Sequence, residues 1–151
     1  PVAKAYGMAV TAWSPLKGGL LSGKYLPEND TAGDDARLKQ GPLKSLAEMN
    51  ERELETVRET VQIAAECDAT PARVALAWLR YRPVPVIPII GARTLDQLRD
   101  NLASLDVRLS DDQRERLDRK SAVSLGFPHD LLRNEHVRRG VLGDLGDRIL
   151  T

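Results

Sequence analysis

The sequence predicts an α/β fold built on parallel strands, and three observations carry that reading. Two short apolar runs rich in β-formers, Met8 to Trp13 and Val84 to Ile90, each stop at a turn signal: Ser14-Pro15 followed by Gly18-Gly19 in the first, Gly91 in the second. Around them lie stretches whose apolar residues recur at helical spacing behind polar caps. The chain has 151 residues, far fewer than the ~250 of a typical closed (β/α)8 barrel. Its elements therefore describe part of such a barrel or part of an open doubly wound sheet. Two convincing strands cannot close on themselves, so the chain is expected to be a piece of something longer or to pair with another chain. An opening at Pro1, with neither initiator methionine nor signal peptide, points the same way.

Taken in order, Met8 to Trp13 is the first buried strand. The turn-rich stretch from Ser14 to about Gln40, with Gly18, Gly19, Gly23, Pro27 and Gly33, is longer than a connector needs and reads as a mobile lid over a ligand. Ser45-x-x-Glu48 is a capping box opening a helix that Leu54, Val57, Val61 and Ile63 carry to about Cys67. Thr70 before Pro71 is an N-cap with proline at the first helical position, and a more apolar helix runs from there to about Arg80. Pro83 to Ile90 is continuously apolar, the pattern of a strand covered on both faces, with Pro83, Pro85 and Pro88 confining the pairing core to Val86 to Ile90. Thr94-x-x-Gln97 opens a helix through Leu95, Leu98, Leu102 and Leu105, and Ser110-x-x-Gln113 opens a charged helix that looks like a surface element. From Ser121 the chain reads as an irregular tail, with Phe127 and Pro128 placed to dock back.

Charge and composition exclude several functions. Lysine plus arginine equals aspartate plus glutamate at 22 each, so no global field attracts nucleic acid or an anionic membrane. No apolar run approaches the ~20 residues of a membrane span. The single cysteine, Cys67, rules out an internal disulfide framework, fits a reducing cytoplasm, and sits in a helical pattern that favours packing over catalysis. His136 stands among Arg133, Arg138 and Arg139 and reads as a partly exposed helix or tail residue. No set of residues has metal-ligand spacing.

Two loops carry ligand chemistry. At the end of the first strand the indole of Trp13 offers a flat face for stacking a ring, while Ser14 and the backbone around Gly18 and Gly19 can approach phosphate oxygens with no Cβ in the way. Such a site suits a dinucleotide. The alternative is a core Trp13 beside a plain turn. At the end of the second strand, Gly91-Ala92-Arg93 leads into a helix N-terminus whose free N–H groups and dipole favour an anion, and Arg93 adds a bidentate donor; the alternative is a solvated arginine on a strand-to-helix loop.

With these loops in hand, nearly the whole chain resembles the C-terminal part of the aldo-keto reductases, NADPH-dependent (β/α)8-barrel oxidoreductases. The stretch Trp13-Ser14-Pro15-Leu16-Lys17-Gly18-Gly19-Leu20-Leu21-Ser22-Gly23-Lys24 is similar to the family's seventh strand and following loop. The resemblance implies that Trp13 stacks on nicotinamide and that Ser14, Pro15, Leu16 and Gly18 cradle the pyrophosphate. Gly91-Ala92-Arg93-Thr94-x-x-Gln97-x-x-x-Asn101 is similar to the exit of the eighth strand. There the resemblance implies that Gly91 and Ala92 belong to the cofactor-binding set, that Arg93 and Gln97 meet the 2′-phosphate, and that Asp100 and Asn101 face the adenine. The two loops in this order, with Thr70-Pro71-x-x-Val74-Ala75-Leu76-Ala77-Trp78 between them, make the resemblance specific, and Gly126-Phe127-Pro128-His129-Asp130 is similar to the ending of one bacterial branch.

What the resemblance implies is a partial barrel spanning residues 1–151, about strands seven and eight with their helices, followed by a tail over 121–151. It further implies NADPH and a small carbonyl substrate as partners in the cytoplasm. The family's catalytic Asp, Tyr, Lys and His come from the first half of the barrel. Tyr6, Tyr25, Tyr81, His129 and His136 do not match their motifs, so no catalytic residue is assigned. The chain by itself is expected to be inactive and to require the missing N-terminal half. A rival expectation is a non-catalytic barrel remnant that binds a nucleotide or a protein partner through its open sheet.

Overall fold

The computed structural model describes residues 2–29, 31–33, 38–39 and 48–143, and the chain divides into two compact units, Pro1–Ser121 and Ala122–Thr151. The first unit holds α1 (Val2–Ala5), β1 (Val10–Trp13), α2 (Glu51–Glu66), α3 (Pro71–Trp78), β2 (Val86–Ile89), α4 (Leu95–Ala103) and α5 (Asp111–Ser121). Strands β1 and β2 pair in parallel, in register from Val10 against Val86 to Trp13 against Ile89. Parallel pairing requires a long crossover, and the segment containing α2 and α3 supplies it. Pro88, opposite Ala12 in that register, gives up one backbone donor and helps keep the ladder short.

The hydrophobic core lies among the helices. Ile63 and Ala64 of α2 meet Val74 and Ala77 of α3 and Leu117 of α5, and Leu109 closes the cluster. Helix α5 therefore does more than cover the surface as expected. Its Leu117 is buried, and its Arg116 reaches Glu59 at 2.7 Å and Glu66 at 2.8 Å on α2. The sequence pattern was too charged to show one apolar anchor and one long cation as the packing face.

Several expectations are corrected. Helix α2 begins at Glu51, where the Asn50 side chain accepts from the Glu53 N–H and the Glu53 carboxylate accepts from the Asn50 N–H; residues 48–50 are not helical, and Ser45 lies outside the described residues. The sequence offers two capping boxes ahead of the same periodic run, and the N-cap is Asn50, five residues beyond Ser45. At the other end, Asp68 takes a left-handed φ of 49° and stops the helix after Cys67. Helix α3 tightens into a 3-10 turn at Leu79–Tyr81. The strands are not covered on both faces: Trp13, Ile87 and Ile89 are 79 %, 56 % and 52 % exposed. A two-stranded sheet has no further strands to close around its faces. The apolar stripe of α4, Leu95, Leu98 and Leu102, is likewise exposed.

The lid is also different from the expectation over its described residues. It forms tight 3-10 turns at Lys17–Ser22 and Pro27–Asn29, and Leu20, Leu26 and Leu38 are buried. Lys17 binds Glu53 of α2, and Arg58 of α2 holds Glu28 at 2.7 Å. Leucines interspersed among the turn formers pack the loop instead of leaving it as an open flap. In the second unit, the stretch expected to be irregular carries α6 (His129–Arg133) and α7 (Glu135–Leu142), the latter capped by the Asn134 side chain, and the ring of Phe127 is exposed. Among the described residues, no helix is long and apolar enough to cross a membrane.

Candidate functional site

The loop leaving β1 is shaped by backbone conformations that few side chains accept. Ser14 and Lys17 have φ of 52° and 48°, and Gly18 and Gly19 follow at 67° and 99°. The loop is braced internally: the Gly18 N–H donates to Ser14 Oγ at 3.3 Å, the Lys17 N–H to the Ser14 carbonyl at 2.8 Å, and Ser22 Oγ to the Gly19 carbonyl at 2.7 Å. Glycine is required at 18 for space as well as φ, since a Cβ there would stand 2.9 Å from Leu38 Cδ2. The Leu38 N–H in turn donates to Tyr25 Oη at 3.2 Å, so the buried leucine is held from both sides.

The loop leaving β2 ends in the N-terminus of α4. Thr94 is the N-cap, its Oγ1 accepting from the Gln97 N–H at 3.2 Å. The Gln97 side chain does not complete the expected capping box on Thr94. Its Oε1 accepts instead from the Arg93 N–H at 2.8 Å, one residue earlier, which fixes the backbone at the base of the Arg93 side chain.

These two loops face one cavity of about 650 Å³. Leu16, Gly18, Gly19, Ser22 and Lys24 line it from the β1 side. From the β2 side come Arg93, Gln97, Asp100 and Asn101, and Ala72 at the start of α3 completes the wall. Of the residues singled out in the sequence, seven meet here: Leu16, Gly18, Gly19, Arg93, Gln97, Asp100 and Asn101. Trp13 stands exposed at the end of β1, and Ser14, Gly91 and Ala92 do not line the cavity, although Ser14 Oγ braces the N–H of Gly18, which does. Pro15 turns away, lining a smaller apolar groove of about 100 Å³ with Leu21, Thr60 and Trp78.

Sequence reading missed Ser22, Lys24 and Ala72 as cavity residues. Lys24 had a signal, a lysine just past a glycine turn, whereas Ala72 enters only through packing of α3. Lys24 and Arg93 place two cations on one cavity beside left-handed glycines, a lining with the donors and the space that phosphate groups need. The Asp100 carboxylate is engaged at the back of the cavity: Oδ1 accepts from Arg73 Nε at 2.7 Å and Oδ2 from Thr70 Oγ1 at 2.8 Å. Asn101 is buried beneath it. Among the described residues, no group of three or more histidines, cysteines or acids could hold a metal ion.

Two loops with cationic and backbone donors thus meet at the C-terminal ends of parallel strands, the place where α/β folds put their ligand sites. The model of the Aldo/keto reductase family matches residues 1–122, and the chain belongs to that family. It is 41 % identical over 145 residues to an uncharacterized oxidoreductase of Mycobacterium tuberculosis, covering 92 % of this chain and 43 % of that protein. It is 38 % identical over 109 residues to the uncharacterized oxidoreductase YrpG of Bacillus subtilis, covering 72 % of this chain and 31 % of that protein. The chain thus spans less than half the length of these relatives. Family membership carries a (β/α)8 barrel and an oxidoreductase type of enzyme, and the mixed α/β architecture with a two-stranded parallel sheet is consistent with part of such a barrel.

Proposed function

We propose that the chain forms the C-terminal, NADPH-binding part of an aldo-keto reductase that reduces aldehydes or ketones to alcohols, with β1 and β2 as about its seventh and eighth strands. The observation that supports this best is the convergence of two loops, some seventy residues apart in sequence, on one cavity holding Lys24 and Arg93. Bound NADPH supplies the hydride that the carbonyl carbon accepts. The chain's own residues bind and orient. Arg93 and Lys24 offer charge-assisted donors to phosphate oxygens, the backbone at Gly18 and Gly19 allows their close approach, and the exposed face of Trp13 is available to stack the nicotinamide.

Proton donation to the developing alkoxide falls to residues outside this chain, since no tyrosine or histidine here matches the family's catalytic motifs. The chain alone therefore positions a cofactor without completing the reaction, and the N-terminal half of the barrel is its required partner. A cytoplasmic setting fits the single unpaired Cys67. The test is a fluorescence titration of the complete protein with NADPH, followed by an assay of aldehyde-dependent NADPH oxidation. Saturable binding and turnover are expected; a protein that binds no nicotinamide nucleotide rules the proposal out.

One observation favours a second reading, a non-catalytic module whose open sheet receives a protein partner: Trp13, Ile87 and Ile89 are large, apolar and more than half exposed. Under that reading the complete protein elutes as a complex and oxidises no NADPH.

A further inference from the structure

We propose that Arg73 is a specificity-determining positioning residue that masks the Asp100 carboxylate, so that its negative charge does not oppose a 2′-phosphorylated nucleotide entering the cavity; this rests on the reading of that cavity given above. Asp100 lines the same cavity as Lys24 and Arg93. An unmasked carboxylate there would oppose a phosphate monoester, which carries up to about two negative charges at neutral pH. Both Asp100 oxygens are committed instead. One accepts from Arg73 Nε at 2.7 Å and the other from Thr70 Oγ1 at 2.8 Å.

The geometry makes this a clamp and not a passing surface contact. Thr70 is the N-cap of α3, and its Oγ1 also accepts from the Arg73 backbone N–H at 3.2 Å, so one hydroxyl caps the helix and holds the carboxylate that the Arg73 guanidinium pairs. The Arg73 and Asp100 side chains are 33 % and 27 % exposed, sheltered enough that water screens the pair only in part. The carboxylate is held at the N-terminal, positive end of α3 through the N-cap Thr70. With Asp100 paired, its charge opposes an entering phosphate less than a bare carboxylate on that wall would. The clamp also ties α4 to α3, but only its charge role discriminates between NADPH and NADH.

The test is a set of dissociation constants for NADPH and NADH, measured by fluorescence titration on the complete protein and on its R73Q, R73K, D100N and R73Q/D100N variants. R73Q is expected to weaken NADPH about tenfold, the effect of one unit charge at cavity distance in an effective dielectric near ~20, while leaving NADH within about twofold. R73K should recover most of the loss, and in the D100N background R73Q should cost NADPH nothing further. Equal weakening of both nucleotides by R73Q would show a merely structural role and overturn the proposal. So would a full tenfold loss persisting in the D100N background, which would make Arg73 a direct phosphate partner. Should R73Q fail to fold, D100N decides: a held or raised preference for NADPH over NADH is expected, and a fall overturns. A wild-type protein that binds no NADPH brings down the underlying reading, and that outcome is visible in the first titration alone.

Discussion

At the scale of single residues, Arg93 carries the sharpest expectation. Its backbone N–H is held by Gln97 Oε1, which fixes where the guanidinium begins its reach, and the side chain lines the phosphate-ready cavity. Arg93→Ala in the complete protein is expected to weaken NADPH binding by about 1.5–3 kcal/mol, the range for a hydrogen bond to a charged group, and to leave NADH nearly unchanged. Isothermal titration with each nucleotide checks this, and equal losses would remove Arg93 from contact with the 2′-phosphate. Residue identity was the most legible level of the site. A strand ending in a left-handed serine and two glycines, and an arginine just before a helix cap, are locally encoded geometries, and both loops line one cavity. The Arg73–Asp100 contact was invisible because nothing local links residues 27 positions apart.

At the scale of elements, helix α2 is the frame on which the loop and α5 are hung. Its N-terminus depends on the reciprocal bonds between Asn50 and Glu53. Asn50→Ala is expected to cost about 1 kcal/mol of stability, read as a lower urea midpoint with an unchanged slope. The α2–α5 contact depends on Arg116, whose three ionic partners are Glu59, Glu66 and Asp112. Hydrogen bonds from Arg116, and next from Gln113, hold the Glu66 carboxyl below its ordinary value of 4.5. A carboxyl lowered in the folded state binds its proton more readily when unfolded. Its stabilising contribution is therefore present above about pH 4.5 and is lost as pH falls through the lowered folded value. Arg116→Gln is expected to lower the urea midpoint at pH 7 and to flatten its fall toward acid. An unchanged acid limb in the variant would exclude Glu66 as a contributor. Elements were legible where caps and periodicity agreed, as in α3 and at the Ser110–Gln113 box of α5. They were misjudged where two caps competed, at α2, and where charge hid a packing face, at α5.

At the scale of the whole molecule, the dominating feature is an apolar sheet without cover. Burial of Ile63, Val74, Leu117 and their neighbours gives the first unit its own core, yet Trp13, Ile87 and Ile89 remain exposed on the strands. Exposed apolar strands invite pairing with another chain. The 151-residue chain expressed alone is expected to self-associate on size exclusion and to show no aldehyde-dependent NADPH oxidation, and Ile87→Lys is expected to shift it toward monomer. A monomeric, active chain would contradict both expectations.

The sequence by itself determined the parallel α/β character, the order of helices α2 to α5, and the two loops that leave the strands, because caps, glycine conformations and apolar periodicity are properties of a few neighbouring residues. Membership in the aldo/keto reductase family was legible for the same reason, through the spacing of residues within each loop. Only the tertiary structure decided that Lys24 and Ala72 share a cavity with Arg93, that Pro15 lines a different groove, that the turn-rich loop is packed through Leu20, Leu26 and Leu38, and that Asp100 is paired with Arg73. Those outcomes depend on which helix faces meet, and that is set by burial summed over the chain rather than by any local pattern.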